Sequence, residues 1–360
     1  MQASRERAKF LYLEWEKSRE GRLITQTRPS ANVPCIVTHH GFFHCDEALA
    51  VAMLSMLPQF ANRDVFRTRT LELIQPADVV VDVGGVYDAS LHRFDHHQQT
   101  FQTTLGPSST IKLSASGLVF LHYGKELIRY LYNESQQLEI ELSDADVDAL
   151  FTHIYDEFMK PIDGHDNGVE ATEGKTNYRH HTNLTDRVRQ FNIQWNETQT
   201  TELENTRFSQ AVRLTALEFI QCVCRAIFDW LPVNSVVEKA WNERFNIHPS
   251  GTIIELLYYV PYHEYLTLLE QANPDAVKVL FVLHRDATSH WRVTCVNESG
   301  FKSRLPLHET WRGVPVEELR EKSGIPDATF VHRNGFTGGA ISHKGAFELA
   351  VRTLNQQVNM

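Results

Sequence analysis

The sequence predicts an α/β protein with two lobes: an N-terminal domain built on a parallel sheet, and a smaller C-terminal α+β domain. A length of 360 residues allows two ordinary domains. The hydrophobic fraction of 42%, with only 18 Gly and 13 Pro, is typical of a globular chain. Short apolar runs alternate with helical patterns in the first half, which favours a parallel sheet. In the second half, β-rich runs follow a long helical pattern, which favours a separate α+β unit.

The elements of the first half can be taken in order. Residues 1–33 are predicted to form a charged, partly helical arm. PCIVTHH is predicted to be a strand, and DEALAVAMLSML a buried helix. ADVVVDVGG is almost continuously apolar, as strands buried in parallel sheets are. Two helical patterns follow: SASGLVFLHYGKELIRYLY and LSDADVDALFTHIYDEFM. We assign this first domain to residues 34–190.

The second half, residues 191–360, is predicted to hold a linker helix and a second domain. The segment FSQAVRLTALEFIQCVCRAIFDWL has the pattern of a long helix. Three β-rich runs follow: GTIIELLYYV, AVKVLFVLH and HWRVTCV. A final helix is predicted in AFELAVRTL.

The charge balance and the cysteines restrict the class of protein. The net charge of −10 argues against a protein that coats nucleic acid through bulk positive charge, although a cleft filled with metal ions remains compatible with it. Five Cys without a C-x-x-C pair indicate reduced thiols inside a cell. No apolar run reaches the length of about 18 residues that a membrane helix needs, and the first thirty residues lack an apolar signal-peptide core. We therefore expect an intracellular protein that is not bound to a membrane.

The densest chemical signal is THHGFFHCDEALA, which lies between a predicted strand and a predicted helix. Ligands of open α/β sheets bind at this end of the strands. Six of its side chains are able to bind metal: His39, His40, His44, Cys45, Asp46 and Glu47. The alternative interpretation makes Asp46 a helix N-cap and leaves the histidines on the surface.

Two further segments carry the same residue types. Asp82 ends an apolar strand, where an unpaired carboxylate would need a cation or hydrogen-bond donors. A turn cap against Gly84 and Gly85 is the alternative for Asp82. Asp95, His96 and His97 are consecutive in LHRFDHHQQTF, and a surface turn is their alternative. Because three such segments occur in one chain, we favour a common site.

A fourth segment, KPIDGHDNGVE, supplies Asp163, His165 and Asp166 just past a predicted helix. Asp163 and Asp166 compete for one role, and one of them could instead shape the turn at Gly168. Ligands rich in Asp and His and poor in Cys suit manganese, magnesium or catalytic zinc.

Two such ions, about 3.5–4 Å apart, could share Asp82 and lower the pKa of a bridging water. His97 would then stabilise the phosphate or protonate the leaving oxygen. Asp82 and His97 are thus the predicted catalytic residues.

The glycine pair in FTGGA has two interpretations. One is a plain turn before a helix. The other is a backbone nest in which Gly338 and Gly339 bind phosphate, assisted by the N-terminus of a helix from about Ser342. A basic wall for a nucleic-acid strand is also conceivable, with a solvated loop as the alternative. Its members would be Arg179, His180, His181, Arg187 and Arg189.

In these segments the chain resembles the DHH phosphoesterase superfamily, and within it the melanocyte-proliferating-gene family of exonuclease-like proteins. The resemblance runs from about residue 34 to the C-terminus and is carried by eight segments in register: THHGFFHCDEALA, ADVVVDVGGVYD, FDHHQQTF, IKLSASGLVFLHYG, IDGHDNGVE, HPSGTIIEL, SRLPLHETWRG and FVHRNGFTGGAISHKGAFELA. Two positions depart from the family pattern. His40 stands where the family has Asn, and His343-Lys344 stand where an Arg-Glu pair is expected.

The resemblance implies that residues 34–190 form a metal-binding catalytic domain of the DHH type and that residues 191–360 hold a linker helix and a substrate-binding domain. It also implies a set of functional residues. The metal ligands it implies are His39, His44, Asp46, Asp82, Asp95, His96 and Asp163 or Asp166. His97 is the adjacent histidine on the phosphate side. The substrate-binding residues are Gly338, Gly339, His343 and Lys344. Manganese is the expected ion, with magnesium as the alternative.

The resemblance also implies 3′-to-5′ exonuclease activity on RNA or short oligonucleotides, in the mitochondrion, the nucleus or both, with the cytoplasm as the alternative compartment. A phosphatase or pyrophosphatase acting on small phosphorylated metabolites is the second hypothesis, and the net acidity favours it. A non-catalytic protein that binds metal or phosphate is the third. A homo-oligomer is compatible with all three.

Overall fold

The structure is a computed structural model that describes residues 2–27, 33–107, 109–135, 142–174 and 181–357. It divides into two compact units, Met1–Leu231 and Pro232–Met360. The second unit has a sheet and a core of its own. This confirms the predicted fold class, an α/β chain with two lobes.

The first unit is built on a six-stranded sheet. Its strands are β1 (Ile24–Thr25), β2 (Cys35–Thr38), β3 (Asp64–Arg67), β4 (Val79–Val81), β5 (Tyr87–Asp88) and β6 (Arg93–Phe94). They lie in the order β1-β3-β2-β4-β6-β5, and only the edge strand β5 is antiparallel to its neighbour. All three residues of β4 are buried, as the near-continuous apolar run predicts.

Helices cover this sheet. They are α1 (Gln2–Ser18), α2 (Cys45–Met56), α3 (Leu71–Ile74), α4 (Ala115–Ser135), α5 (Asp144–Ile154), α6 (Lys160–Asp166), α7 (Leu184–Arg189) and α8 (Thr201–Arg225), with a 3₁₀ turn at Ala89–Leu91 and π-helical turns at Tyr155–Met159 and Ala226–Trp230. Every residue of α2 is buried, and this helix packs against α4 and α8. Its two carboxylates, Asp46 and Glu47, are therefore held away from water.

The predicted arm is helical over α1, which packs against α8 and contributes Ala8, Leu11 and Trp15 to the main core of the first unit. Helix α8 belongs to the same unit. The predicted domain limits of 1–33, 34–190 and 191–360 stay a prediction.

The second unit is an α+β unit. Its elements are α9 (Leu231–Ile247), β7 (Ile253–Tyr258), α10 (His263–Ala272), β8 (Phe281–Arg285), β9 (Trp291–Cys295), β10 (Asn297–Ser299), β11 (Lys302–Ser303), a 3₁₀ turn at Glu309–Trp311, α11 (Val316–Ser323), β12 (Ala328–Val331), β13 (Thr337–Ala340) and α12 (His343–Gln357). Five strands form a sheet in the order β12-β13-β9-β8-β7, and helix α12 packs against β9 and β13.

The backbone conformation of Gly338 and Gly339 differs from both of the conformations predicted for it. The two glycines lie inside strand β13, paired with β9 on one side and β12 on the other, and not in a turn or a nest. Close packing explains the glycines. A Cβ on Gly338 would lie 2.8 Å from Leu307, and one on Gly339 would lie 2.7 Å from the guanidinium of Arg292. Sheet pairing depends on distant segments of the chain, so the local glycine pattern could not reveal it.

Across the described part of the chain, the helices are too short or too polar to cross a membrane.

Candidate metal centre

Three neighbouring strands deliver the candidate ligands to one edge of the sheet. His39 follows β2, Asp82 follows β4, and His96 follows β6 two residues after its end. The three strands are adjacent and parallel, so the segments after their carboxyl ends converge. Asp82 adopts a left-handed backbone conformation with φ of 55°. Such a conformation in a residue with a side chain is uncommon, and it often marks a functional constraint.

The first group of ligand atoms surrounds His39. Its Nε2 lies 3.0 Å from Glu47 Oε1 and 3.3 Å from Asp82 Oδ2. Together with His44, these three residues form a group able to hold a metal ion, with ligand atoms within 4.8 Å of one another.

The second group lies on the other side of Asp82. His96 Nε2 is 3.4 Å from Asp82 Oδ1 and 3.1 Å from Asp166 Oδ2. His97 Nδ1 is 3.5 Å from Asp82 Oδ1. Asp82, His96 and His97 form a second group able to hold a metal ion.

A third group joins His44, Asp46 and Asp166. Asp46 is only 1% exposed, and neither of its oxygens has a hydrogen-bond partner among the described residues. Asp82 Oδ1 and His96 Nε2 are also buried, and their polar contacts are the close pairs given above. Buried carboxylate oxygens in this state are costly unless a cation lies beside them.

The electrostatics of the cluster also favour a bound cation. Burial, followed by the charges of Asp166 and Asp82, raises the pKa of Asp46 well above its usual value. Burial also opposes ionisation of Asp82, but hydrogen bonds from His39 and His96 outweigh it and lower the pKa of Asp82. A divalent cation would stabilise the ionised carboxylates together.

The two central histidines respond to the same carboxylates. Burial lowers the pKa of each, but the hydrogen bonds that the imidazoles donate to neighbouring carboxylates outweigh it. Those to Asp82 and Glu47 raise the pKa of His39 to about 10. Those to Asp166 and Asp82 raise the pKa of His96 to about 10. Without a cation, protonated histidines balance the negative charge, and with a cation they would bind as neutral ligands. The donor set of oxygens and imidazoles fits a divalent ion.

Asp95 lies in a supporting position. One of its oxygens accepts from Gly85 N at 2.6 Å, and the other accepts from His97 N at 3.1 Å and lies 2.7 Å from His97 Nδ1. Its predicted role as a metal ligand stays a prediction. In this geometry Asp95 orients His97 and raises the pKa of that imidazole.

Asp163 and Asp166 have different contacts in the structure. Both lie in helix α6, which continues from α5 through the π-helical turn and does not end before them as the sequence predicted. Asp166 belongs to the candidate cluster. Asp163 instead accepts hydrogen bonds from Ser114 N at 2.9 Å and Ser114 Oγ at 2.7 Å. Burial raises the pKa of Asp163 to about 7, although these bonds oppose the shift.

The sequence did not predict two features of the site. Glu47 was recognised as able to bind metal but was left out of the predicted ligand set. It accepts from His44 N as part of a capping box, and it also contacts His39. Its place in the first turn of a helix favours the capping interpretation alone, which hides the second role.

The second missed feature is the ion pair between Arg67 and Glu204, which contacts the backbone of the loop 39–44. Arg67 is fully buried and donates to the carbonyls of His39 at 3.1 Å and Gly41 at 3.0 Å. It also pairs with Glu204 at 2.8 Å, and Glu204 accepts from Gly41 N at 2.7 Å. A charged residue at the end of the apolar run DVFR was the available signal.

The remaining candidates are not members of these groups of ligand atoms, or lie outside the described residues. His40 is exposed, and its carbonyl accepts from Arg69 at 3.2 Å. In the second unit, His343 Nε2 lies 2.8 Å from Glu255 Oε2, and Lys344 is exposed. The role of His343 and Lys344 in substrate binding stays a prediction, as does that of the two strand glycines.

The proposed basic wall is only partly described. Arg187 pairs with Glu218 at 2.7 Å, His181 lies 3.5 Å from Asp186, and Arg189 is exposed. Arg179 and His180 lie outside the described residues.

Comparisons with known proteins identify the family of this chain. The model of the MYG1_exonuc family, described as "Uncharacterised protein family (UPF0160)", matches residues 35–354. The MYG1 exonuclease of Mus musculus is 40% identical over 343 residues, which cover 92% of this chain and 88% of the relative. That of Homo sapiens is 40% identical over 334 residues, covering 90% and 86%. The MYG1 protein of Dictyostelium discoideum is 38% identical over 325 residues, covering 89% and 96%.

Among solved structures, RecJ in complex with Mg²⁺ from Thermus thermophilus aligns with 99% of this chain and 52% of its own. The identity is 15% and the TM-score 0.24, a likeness too weak to support an inference.

Clustered Asp and His after the carboxyl ends of parallel strands are what a metal-dependent hydrolase of the nuclease class needs. The chain belongs to the MYG1 exonuclease family. This confirms the resemblance to the melanocyte-proliferating-gene family and the prediction that the protein is a hydrolase.

Proposed function

We propose that the protein is a 3′-to-5′ exonuclease that shortens RNA or short oligonucleotides with the help of two divalent ions, manganese being preferred over magnesium. The names of its mammalian relatives support the exonuclease class. The preference for RNA comes from the family resemblance of the sequence motifs.

One observation carries the proposal of two ions. The two oxygens of Asp82 face different groups: Oδ2 lies 3.3 Å from His39 Nε2, and Oδ1 lies 3.4 Å from His96 Nε2. A carboxylate in this position suits a bridge between two cation sites. When bound, the ions would neutralise charge on a phosphoryl oxygen and make water a stronger nucleophile near neutral pH.

We assign the proton transfer to His97. Asp95 holds its Nδ1 at 2.7 Å, which leaves Nε2 free to face substrate, and the His97 side chain is 64% exposed. The hydrogen bond that His97 Nδ1 donates to Asp95 raises the pKa of His97, so this imidazole is well suited to carry a proton. Nε2 of His97 would donate it to the leaving oxygen or to a phosphate oxygen.

The loop that carries His39 needs a fixed position for this chemistry. Arg67 and Glu204 form hydrogen bonds with its backbone, at His39 O, Gly41 O and Gly41 N. Because all these contacts are to backbone atoms, they leave the imidazole of His39 available to the cluster. Such support beneath a ligand is what keeps a metal site in its working geometry.

A second candidate is a phosphatase or pyrophosphatase acting on small phosphorylated molecules. The net charge of −10 favours it, since a long polyanion is repelled more strongly than a small one. It needs the same cluster and differs only in the substrate.

Labelled substrates separate the two candidates. Protein is incubated with 5′-labelled RNA, 5′-labelled DNA and pyrophosphate, each with Mn²⁺, Mg²⁺ or EDTA. We expect a ladder shortening from the 3′ end of the RNA with Mn²⁺ and no reaction with EDTA. The variant Asp82→Asn, purified in parallel, controls for contaminating nucleases. Release of phosphate from pyrophosphate without shortening of RNA would support the second candidate instead.

We propose a mitochondrial or nuclear location on the same resemblance. Fractionation of cells that express the full chain tests it, and recovery in the cytosol alone would contradict it.

A further inference from the structure

A concave pocket of about 400 Å³ lies in the first unit beside the metal centre. Phe42 and Trp195 line it together with Arg189 and Gln190. None of these residues belongs to the cluster of candidate ligands. The volume falls in the range of small-molecule sites.

The aromatic side chains of this pocket are unusually exposed. Trp195 is 92% exposed and Phe42 is 52% exposed. A single exposed aromatic residue needs no explanation, but two that line one pocket offer flat apolar faces to a ligand. Nucleobases stack on such faces whatever their sequence.

The two aromatic residues are anchored to each other through their neighbours. Phe43 N donates to Asn192 Oδ1 at 2.9 Å, and Asn192 Nδ2 donates to Phe43 O at 2.8 Å. Phe42 directly precedes Phe43, and Trp195 follows Asn192 by three residues. Gln194 N also donates to a carboxylate oxygen of Glu197 at 2.8 Å. These bonds fix the backbone on both sides of the pocket, which limits the positions that the two aromatic side chains can reach.

Phe42 lines the pocket and also lies next to a residue of the metal centre. The ring of Phe42 lies 5.5 Å from the ring of His44, measured between centroids. His44 itself belongs to two groups able to hold a metal ion. A nucleotide whose phosphate lies at the cluster would bring its base to this side.

The charge at the pocket also suits a nucleotide. Arg189 is exposed and forms no ion pair with any described residue. The guanidinium is thus available to a phosphate or to the face of a base. The carboxylate of Asp186, which also lines the pocket, is buried and bonded to Asn183 Nδ2 at 2.9 Å, so it presents little negative charge at the surface.

We propose that this pocket binds a nucleobase of the substrate, which stacks on Trp195 and Phe42 while the adjoining phosphate lies at the metal centre. The proposal rests on the proposed function, because only a nucleotide substrate carries both groups. It adds a base subsite that selects nucleotides over phosphorylated sugars and pyrophosphate. Gln190 offers its amide to the edge of the base.

Binding of AMP, compared with ribose 5-phosphate, tests the subsite directly. Both ligands are titrated calorimetrically into the full chain with Mn²⁺. We expect ribose 5-phosphate to bind on the order of 10-fold more weakly than AMP, and Trp195→Ala to weaken AMP binding by a similar factor. Trp195→Phe retains a stacking face and should bind AMP within about threefold of the parent.

Phe10→Ala is the matched control for the loss of an exposed aromatic residue. Phe10 lies in helix α1 and is 52% exposed, as Phe42 is. It should bind AMP as the parent does. Because Trp195 is almost fully exposed, its replacement should leave the melting temperature unchanged.

Cleavage of labelled RNA, measured on the same proteins, separates failure of the subsite from failure of the proposed function. Equal binding of AMP and ribose 5-phosphate, or unchanged AMP binding by Trp195→Ala, would overturn the subsite even if RNA is shortened. AMP binding that depends on Trp195, without shortening of RNA, would support the subsite and refute the exonuclease. If the surface served a partner protein instead, Trp195→Ala would leave AMP binding unchanged and the proposal would be wrong.

Discussion

Replacing Asp46 by Asn should have opposite effects on the metal-free and the metal-loaded protein. Asp46 is 1% exposed, both its oxygens lack a hydrogen-bond partner among the described residues, and Asp166 and Asp82 raise its pKa further. Its negative charge therefore destabilises the metal-free fold at neutral pH and is needed only when a cation is bound. The amide of Asn keeps the volume and removes the charge.

The size of both effects can be estimated. An unsatisfied buried polar group costs about 1–3 kcal/mol. Because the amide keeps part of that cost, we expect Asp46→Asn to stabilise the metal-free protein by about 1 kcal/mol, or roughly 2–4 °C in melting temperature. In the parent, metal at 100 times its Kd adds about 2.7 kcal/mol, or roughly 5–11 °C. If the lost ligand weakens binding about 100-fold, the same metal concentration adds only about 1 °C.

Differential scanning calorimetry of parent and variant, each with EDTA and with Mn²⁺, measures all four melting temperatures. Asp148→Asn is the control, because Asp148 is exposed and pairs with Lys125 at the surface. It should keep the full metal response. An Asp46→Asn variant that responds to Mn²⁺ as strongly as the parent would refute the assignment of Asp46 as a ligand.

The same cluster and its support lead to three further predictions. Asp82→Asn should keep the fold and lose most of the turnover, because an amide cannot balance two cations; near-normal turnover in the RNA assay would contradict this. Asp166→Asn should lower the bound metal found by elemental analysis, whereas Asp163→Asn should keep the metal, and the reverse result would exchange their roles. Arg67→Met should lower the free energy of unfolding in urea by about 1–3 kcal/mol, because it removes the buried donors to His39 O and Gly41 O and the cation beside Glu204. The double variant Arg67→Met with Glu204→Gln should recover part of that loss, and strictly additive losses would refute the coupling.

The sequence identified the chemistry of the cluster because residue type and local position are enough for it. His39, Asp82 and His96 each follow a short apolar run, and adjacent parallel strands bring such positions together. A bound cation offsets the charge of the buried carboxylates, and the imidazoles can bind it as neutral ligands.

The choice between Asp163 and Asp166 could not be made in the same way. They lie about one helical turn apart, roughly 4.5 Å along the axis. Packing decides which one faces the cluster: Asp163 meets Ser114 at the start of α4, and Asp166 meets His96. Neither contact is local in the chain, so no pattern around residue 163 predicts it.

The sequence by itself determined the fold class, the family and the residue types of the metal centre, because apolar periodicity and short motifs are local properties. The tertiary structure decided which side chains share a cation site and which support it. Asp95 orients His97, Arg67 and Glu204 bind the loop of His39, and Gly338 and Gly339 pair within a sheet. All but the first of these contacts join segments that are distant in the chain. They form only when the folded backbone brings those segments within hydrogen-bond distance.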